Sequence, residues 1–325
     1  MDSTYVVGID VGGQTSKIGV VDARGTVLAQ TVIRTDTYAE IEPYIAELAE
    51  AVKKLIRESG TEGKVRGIGV GAPNGNYYTG TIENAPNLRW GHHKVEFSKL
   101  LSEAMDGLPV ALTNDANAAA VGEMTYGAAR GMKNFIMITL GTGVGSGIVI
   151  NGEVVYGHDG FAGELGHIAA VRSNGRTCGC GKTGCLETYA SATGVARTAR
   201  EWLELSDEPS VLRSLDTIAS KDVYEAAKDG DILALRFFEF TGKILGRSFA
   251  DFVAFSSPEA IVLFGGLARA KEFLTEPIEK AMNENVLPLW RGKVKLIYSQ
   301  LKESDAAILG ASALAWELKS LPDTL

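Results

Sequence analysis

Each half of the chain contains a strand, a glycine-rich turn and a second strand in the same order. In the first half, an apolar run ends at Ile9, Gly12-Gly13 form the turn, and a second apolar run covers Ile18 to Val21. In the second half, Ile138 to Thr142 lead through further glycines into Ile148 to Ile150. Internal similarity of this kind predicts a duplicated body of two domains with a nucleotide between its halves. Two unrelated hairpins would give the same pattern, because glycine hairpins are frequent.

Strands and helices alternate along the rest of the chain. Apolar residues at helical spacing predict a helix from about Ala39 to Glu58, and a strand follows at Val110 to Thr113. Helices are predicted from about Leu186 to Leu205 and from Asp231 to Phe255, and the apolar run Ala260 to Phe264 predicts another strand. This order indicates an α/β fold in which helices cover a mixed sheet.

Composition narrows the partners that the chain can have. Its 325 residues are 45% hydrophobic and 22% charged, which suits a globular protein of about two domains. The net charge is −8 and no run of Lys or Arg forms a patch, so we expect no nucleic-acid partner. No signal sequence is visible, and no apolar run approaches the ~20 residues that span a bilayer. We therefore expect a cytoplasmic protein that binds small molecules and no membrane.

All three cysteines lie close together and near a histidine. The spacing of His167, Cys178, Cys180 and Cys185 gives three thiolates and one imidazole, which is a closed tetrahedral ligand set for zinc. A closed site leaves no position for a reacting water, so the metal would be structural. It would fold a loop that is rich in glycine and poor in apolar residues. The alternative is three incidental free thiols.

The proposed metal loop is flanked by polar residues. Glu164 and His167 precede the cysteines, and Glu187 follows them directly. A metal here would hold these two carboxylates and the imidazole in a fixed relation, so we expect the chemistry to lie beside the loop.

Both glycine turns offer backbone amides to an anion. Glycines let amides approach phosphate oxygens without interference from a Cβ, and a strand-end carboxylate at Asp10 could hold Mg²⁺. Either turn alone would more often be a plain hairpin, but the pair predicts phosphate binding. The candidate residues are Asp10, Gly12, Gly13, Gln14, Thr15 and Lys17 in the first turn, and Gly141, Thr142, Gly143 and Gly145 in the second.

The sequence does not satisfy two other nucleotide-binding motifs. Gly181-Lys182-Thr183 resembles the end of a Walker A loop, but Arg176 stands where its first glycine is required. A dinucleotide-binding turn must lead into a helix, whereas the first glycine turn leads into a strand.

A second carboxylate follows a predicted strand. Asp115 comes after Val110 to Thr113 and opens a helical stretch, where Asp and Asn often serve only as N-caps. It could instead accept a proton from a substrate hydroxyl. Sugar hydroxyls need hydrogen-bonding partners when they are buried. The polar residues that could supply them are Asn87, Asn114, Asp115, Glu164, His167 and Glu187.

Several segments together resemble the motifs of the ROK family (repressor, open reading frame, kinase), and the resemblance covers nearly the whole chain. They are Asp10 to Gly13, Asn114 to Asn117, Leu140 to Gly145, Glu164 to His167, and Cys178 to Glu187. The resemblance implies an actin-like ATPase (ribonuclease H-like) fold, with two lobes around a nucleotide and sugar cleft. The implied lobes are residues 1–116 with about 305–325, and residues 117–304 with the zinc loop at 167–185.

The resemblance also implies roles for individual residues. ATP with Mg²⁺ would donate a phosphoryl group to the 6-hydroxyl of a hexose, with Asp115 as the general base. The two turns would hold phosphates, and Gly265-Gly266 would face the adenosine. The residues expected to bind the sugar are Gly71, Asn87, Asn114, Asp115, Glu164, His167 and Glu187, with His167 also on zinc. A homodimer or homotetramer is expected.

The sequence departs from the family pattern at Gln14, where Thr is usual, and at Asn74, where Gly is common. Both changes bear on details of binding, and neither affects Asp115.

Three classes of function remain to be compared. A ROK repressor carries a helix-turn-helix ahead of the first glycine turn, which here begins eleven residues after Met1, so we expect an enzyme. A silent sugar-binding protein would be expected to have lost Asp10 or Asp115. Among kinases, Ala85 to Trp90 and Glu164 resemble the glucose-using members of the family, and the alternative is a kinase for N-acetylmannosamine, N-acetylglucosamine or another hexose.

Overall fold

The computed structural model describes residues 4–318, except for the side chains of residues 303 and 304. The strands are β1 (Tyr5–Val11), β2 (Thr15–Asp22), β3 (Val27–Arg34), β4 (Val65–Ala72), β5 (Gly75–Asn76), β6 (Thr81–Glu83), β7 (Lys94–Val95), β8 (Val110–Asn114), β9 (Phe135–Leu140), β10 (Val144–Ile150), β11 (Glu153–Val154), β12 (Ala260–Phe264) and β13 (Lys295–Tyr298). The helices are α1 (Ile41–Glu58), α2 (Phe97–Ala104), α3 (Asp115–Tyr126), α4 (Glu187–Ala190), α5 (Ala192–Leu205), α6 (Ser220–Lys228), α7 (Ile232–Ser256), α8 (Lys271–Asn285) and α9 (Glu303–Glu317).

These elements form two compact units. Among the described residues, the first comprises 4–131, 154–162 and 300–318, and the second comprises 132–153 and 163–299. The expected lobes, with their boundary at residues 116 and 117 and near residue 305, stay a prediction.

A five-stranded sheet forms the framework of the first unit. Its order is β3-β2-β1-β4-β8, in which β1, β2 and β3 are an antiparallel meander and β4 and β8 run parallel to β1. Alternate residues of β1 face opposite sides of the sheet. Val7 and Ile9 pack with α1 and α2 in one core, whereas Val6 packs with Ile308 and Leu309 of α9 in another. Helices therefore cover both faces of this sheet.

The second sheet repeats the topology of the first. Its order is β11-β10-β9-β12-β13, in which β10 is antiparallel to β9 while β12 and β13 run parallel to β9. In both sheets a meander is followed by two parallel strands, which agrees with the repeat predicted from the glycine turns. The fold is the actin-like ATPase fold, as expected.

Several elements differ from their predicted form. The single helix predicted over Leu186 to Leu205 is divided at Ser191, whose hydroxyl accepts the Gly194 amide and caps α5. The region between β4 and Trp90, for which no regular element was predicted, contains β5 and β6, which form a small antiparallel sheet with β7. Within residues 4–318, no helix combines the length and apolar character needed to cross a membrane.

Candidate active site

In the first unit, three parallel strands end side by side with polar residues. Asp10 on β1 pairs with Gly71 on β4, and Ala72 of β4 pairs with Asn114 on β8. Because parallel strands end at the same edge of a sheet, this register brings together Asp10, Gly71, Asn114 and the next residue, Asp115. Ligands of open α/β sheets bind outside this edge.

Asn114 and Asp115 make different hydrogen bonds at the start of α3. Asn114 is the N-cap of α3, and its Oδ1 accepts the amides of Ala116 (2.8 Å) and Asn117 (3.3 Å). Asp115 is the first helical residue, and its Oδ1 accepts the Ala116 amide at 2.8 Å. The cap is thus made by the asparagine, which leaves its amide N–H groups for a ligand. Asp115 is an exposed residue at this edge of the sheet.

The two strand-end carboxyl groups both have raised pKa values. The protein atoms around Asp115 limit its hydration, and this desolvation raises its pKa although the Ala116 amide opposes the shift. Desolvation also raises the pKa of Asp10, to about 6, with a further contribution from the negative charge of Asp115. Lys17, which pairs with Asp10 from β2, acts in the opposite direction. Neighbouring carboxylates that are costly to leave charged are suitable ligands for a divalent cation.

The first glycine turn packs against the predicted sugar segment. The turn is closed by a hydrogen bond from the Gly12 amide to the Thr15 carbonyl (3.0 Å). A Cβ on Gly13 would lie 2.7 Å from the Asn87 carbonyl, so no larger residue fits there. Gln14 points its side chain to solvent, and its carbonyl accepts the Thr35 amide (2.9 Å).

Asn74 has a structural explanation. Its φ of 52° lies in the left-handed region, which asparagine tolerates better than most residues. Its Nδ2 donates to the carbonyls of Glu83 (3.0 Å) and Asn84 (2.9 Å). Asn74 therefore fixes the chain just before the Ala85 to Asn87 segment.

The second unit contains the predicted metal ligands in one cluster. One side-chain ligand atom from each of His167, Cys178, Cys180 and Cys185 lies within 4.8 Å of all the others. Nδ1 of His167 is 3.7 Å from Sγ of Cys178, and the Sγ atoms of Cys180 and Cys185 are also 3.7 Å apart. A tetrahedral site with Zn–S bonds of ~2.3 Å has edges of about 3.8 Å. The residues present therefore fit zinc.

Arg176 anchors the metal loop to α5. This buried residue places Nε and Nη2 on Oε2 of Glu201 (3.0 and 2.6 Å), and Nη2 also donates to the Thr198 hydroxyl. Its Nη1 donates to the Thr188 carbonyl, and its guanidinium lies 4.5 Å from the ring centre of Tyr189. The sequence assigned no structural role to Arg176, which was noted only because it occupies the position of the first glycine of a Walker A loop. The loop contains two arginines, Arg172 and Arg176, and no local pattern indicates that Arg176 is the buried one.

The second glycine turn lies beside the predicted adenosine segment. β9 leads into Gly141, and β12, parallel to β9, leads into Gly265-Gly266. Gly265 has a φ of 105°, and a Cβ there would lie 2.6 Å from the Leu140 carbonyl. Both segments therefore meet at the carboxyl ends of two neighbouring strands. The turn is closed by a hydrogen bond from the Gly141 amide to the Gly143 carbonyl (3.0 Å).

The remaining predicted sugar residues also belong to the second unit. Glu164 is exposed and precedes a 3₁₀ turn, Leu165–His167, in which the His167 amide donates to the Glu164 carbonyl (3.1 Å). Glu187 opens α4, and its Oε2 accepts the Val144 amide at 3.0 Å. The sequence did not predict this contact with the second glycine turn.

Comparison with known proteins identifies the family. The ROK family model matches residues 6–317. The chain belongs to the ROK family. Among curated relatives of this ROK protein, a glucokinase from Halalkalibacterium halodurans is 37% identical over 319 residues, which cover 97% of this chain and 96% of the relative.

Solved structures and a second group of relatives give further comparisons. A ROK family glucokinase from Streptomyces griseus, in complex with glucose and AMPPNP, has 33% identity to this ROK protein and a TM-score of 0.78, and the match covers 97% of this chain and 100% of that one. A xylose repressor from Caldicellulosiruptor bescii is 27% identical over 318 residues, which cover 96% of this chain and 78% of the repressor.

Proposed function

We propose that this ROK protein is a glucokinase that transfers a phosphoryl group from ATP to the 6-hydroxyl of glucose. The family and the glucokinase relatives support a sugar kinase that uses ATP. One structural observation carries the reaction itself: Asp115, whose carboxyl pKa is raised, directly follows β8 at the shared edge of three parallel strands.

Asp115 is proposed as the general base. Phosphoryl transfer depends mainly on positioning and charge stabilisation, and the nucleophilic hydroxyl needs an acceptor for its proton. A carboxylate whose pKa is raised toward neutrality is a better acceptor than an ordinary one. Asn114 contributes its amide N–H groups to a sugar oxygen, and capping by its Oδ1 holds the side chain in one orientation. Asn87 and Gly71 lie at the same edge of the first unit and complete its proposed sugar contacts.

Phosphates are proposed to bind at the two glycine turns. In the first unit, this assigns them to Gly12, Gly13, Gln14 and Thr15, with Lys17 nearby. Mg²⁺ supplies charge neutralisation when bound, and Asp10 is its proposed ligand. In the second unit, the assigned residues are Gly141, Thr142, Gly143 and Gly145 for phosphate, and Gly265 and Gly266 for adenosine.

The metal loop is proposed to present sugar ligands. Zinc on the four clustered side chains fixes the loop that carries His167 and leads to Glu187, because the loop has few apolar residues of its own. His167 faces Cys178 through Nδ1, which leaves Nε2 for a sugar hydroxyl. Glu164 and Glu187 are the other proposed sugar ligands of this unit.

Substrate range and partners complete the proposal. The alternative substrate is N-acetylmannosamine, N-acetylglucosamine or another hexose. An added acetamido group requires only a small change in pocket shape, and a single sequence does not reveal such a change. We also propose a cytoplasmic homodimer or homotetramer without a nucleic-acid or membrane partner. The acidic charge of −8 supports the absence of a nucleic-acid partner.

A coupled assay of ATP consumption tests this function. It should compare glucose, mannose, fructose and the two N-acetylhexosamines, with phosphate-position analysis of the product by NMR. The highest kcat/KM is expected for glucose, with phosphate on the 6-oxygen. A higher value for an N-acetylhexosamine would select the alternative. No ATP-dependent phosphorylation of any sugar would contradict the proposal.

A further inference from the structure

The second glycine turn is contacted by the side chain of Glu187 and by residues that follow Glu187 in the chain. Oε2 of Glu187 accepts the amide of Val144 at 3.0 Å, and a Cβ on Gly143 would collide with this oxygen. The turn and this carboxylate therefore fit each other closely.

The start of α5 holds the other side of the same turn. The amide of Ala192 donates to the Gly141 carbonyl, and the hydroxyl of Thr193 donates to the Thr142 carbonyl, both at 2.8 Å. Gly141 to Val144 are thus held by three hydrogen bonds from residues 187–193. A turn rich in glycine has many alternative conformations, and fixing one of them costs conformational entropy. Contacts that hold it before a ligand arrives reduce the cost of binding.

Residues 187–193 are also attached to the cluster of predicted metal ligands. Cys185 lies two residues before Glu187, and Sγ of Cys178 is 3.8 Å from Oε1 of Glu187. Arg176 adds a second attachment, because its Nη1 donates to the carbonyls of Thr188 (2.8 Å) and Gly194 (3.4 Å). The metal loop, Glu187 and the glycine turn therefore form one connected structure within the second unit.

We propose that Glu187 is a positioning residue for the nucleotide, which holds the Gly141–Val144 turn in the shape that receives ATP phosphates. This inference rests on the proposed function, because it takes that turn as the phosphate site. It gives Glu187 a task that is independent of the sugar. Damage to the metal loop should therefore weaken nucleotide binding even when no sugar is present.

Calorimetric titration with AMPPNP and Mg²⁺, in the absence of sugar, tests the inference. Glu187→Ala removes the acceptor of the Val144 amide and should raise the Kd by about tenfold, which corresponds to about 1.4 kcal/mol. Glu187→Gln keeps an oxygen acceptor and should stay within about threefold of the wild type. Thr193→Val, which removes the bond to Thr142, should give an intermediate effect. Glu204→Ala removes an exposed carboxylate from the far end of α5 and should change nothing.

The possible outcomes separate this inference from the proposed function. Wild-type affinity for AMPPNP in Glu187→Ala, together with weaker glucose binding, would show that Glu187 serves the sugar alone. A wild-type protein that binds no AMPPNP would overturn the proposed function and this inference with it. If Glu187→Ala does not fold, Thr193→Val decides, through its affinity for AMPPNP and hydrogen exchange of the Val144 amide. Faster exchange of that amide in Thr193→Val, with unchanged zinc content, is expected, and unchanged exchange would contradict the inference.

Discussion

Replacing Asp10 by Asn should stabilise the fold at neutral pH while it removes a proposed Mg²⁺ ligand. The carboxyl group of Asp10 has a pKa of about 6 in the folded protein instead of 3.8, mainly because desolvation disfavours its charge and Asp115 adds repulsion. The folded state therefore binds this proton more tightly than the unfolded state does. Stability from this group is fully present below the unfolded pKa of 3.8 and is lost as the pH rises through about 6.

The size of the effect follows from the two pKa values. A difference between 3.8 and about 6 corresponds to about 3 kcal/mol at pH 7 and above. At pH 5 the same linkage gives roughly half of that value. An asparagine keeps the shape of the side chain without the charge, so it should recover most of this free energy. In a unit of this size, 3 kcal/mol corresponds to a rise in Tm of about 6–12 °C.

Thermal unfolding of both proteins between pH 5 and pH 8, in buffer without Mg²⁺, provides the measurement. Asp22→Asn is a matched control with the opposite sign. Although partial burial opposes the shift, hydrogen bonds from the Thr26 and Arg24 amides hold the pKa of Asp22 below its usual value. Asp22→Asn should therefore lower the Tm. If Asp10→Asn unfolds at a lower temperature than the wild type at pH 8, the pairing with Lys17 outweighs desolvation and the reasoning is wrong.

Three further changes test other parts of the account. Asn74→Gly should raise the KM for glucose about threefold to tenfold with little change in kcat, because the loss of two hydrogen bonds frees the chain before Asn87. Steady-state kinetics measure both constants, and an unchanged KM would contradict this prediction. Metal analysis should find one zinc ion per chain in the wild type and almost none in Cys185→Ser, whereas equal zinc contents would exclude the assigned cluster. Arg176→Ala should lower the free energy of unfolding of the second unit by about 2–3 kcal/mol, as measured by urea denaturation, and a loss below about 0.5 kcal/mol would show that zinc alone holds the loop.

Much of the framework could be predicted because local patterns determine it. The spacing of Ile41, Ile45, Leu48 and Val52 fixed the position of α1 to within two residues, since one face of that helix is buried. The clustering of His167, Cys178, Cys180 and Cys185 could be predicted because metal geometry restricts the spacing of potential ligands. The division of Leu186 to Leu205 into two helices was not predicted, because Ser191 is compatible with a helix interior and acts as a cap only once Gly194 is in place.

The contacts within the candidate site depended on tertiary structure. Asp115 was open to two interpretations in the sequence, and the structure shows that Asn114 makes the cap. The bond from the Val144 amide to Glu187 joins residues that are 43 positions apart, and no local pattern predicts such a pair. The hydrogen bonds of Asn74 were missed for a similar reason, because they require the chain to turn back through β5 and β6.

The central claim is that Asp115 accepts the proton of the sugar hydroxyl during phosphoryl transfer, and Asp115→Asn tests it most directly. Asparagine keeps the size and hydrogen-bonding capacity of the side chain but cannot serve as a base. Glucose affinity from calorimetry should stay within about threefold, while kcat with MgATP should fall by about 10²–10⁴-fold. A variant that binds glucose normally and turns over at a rate near that of the wild type would contradict the account.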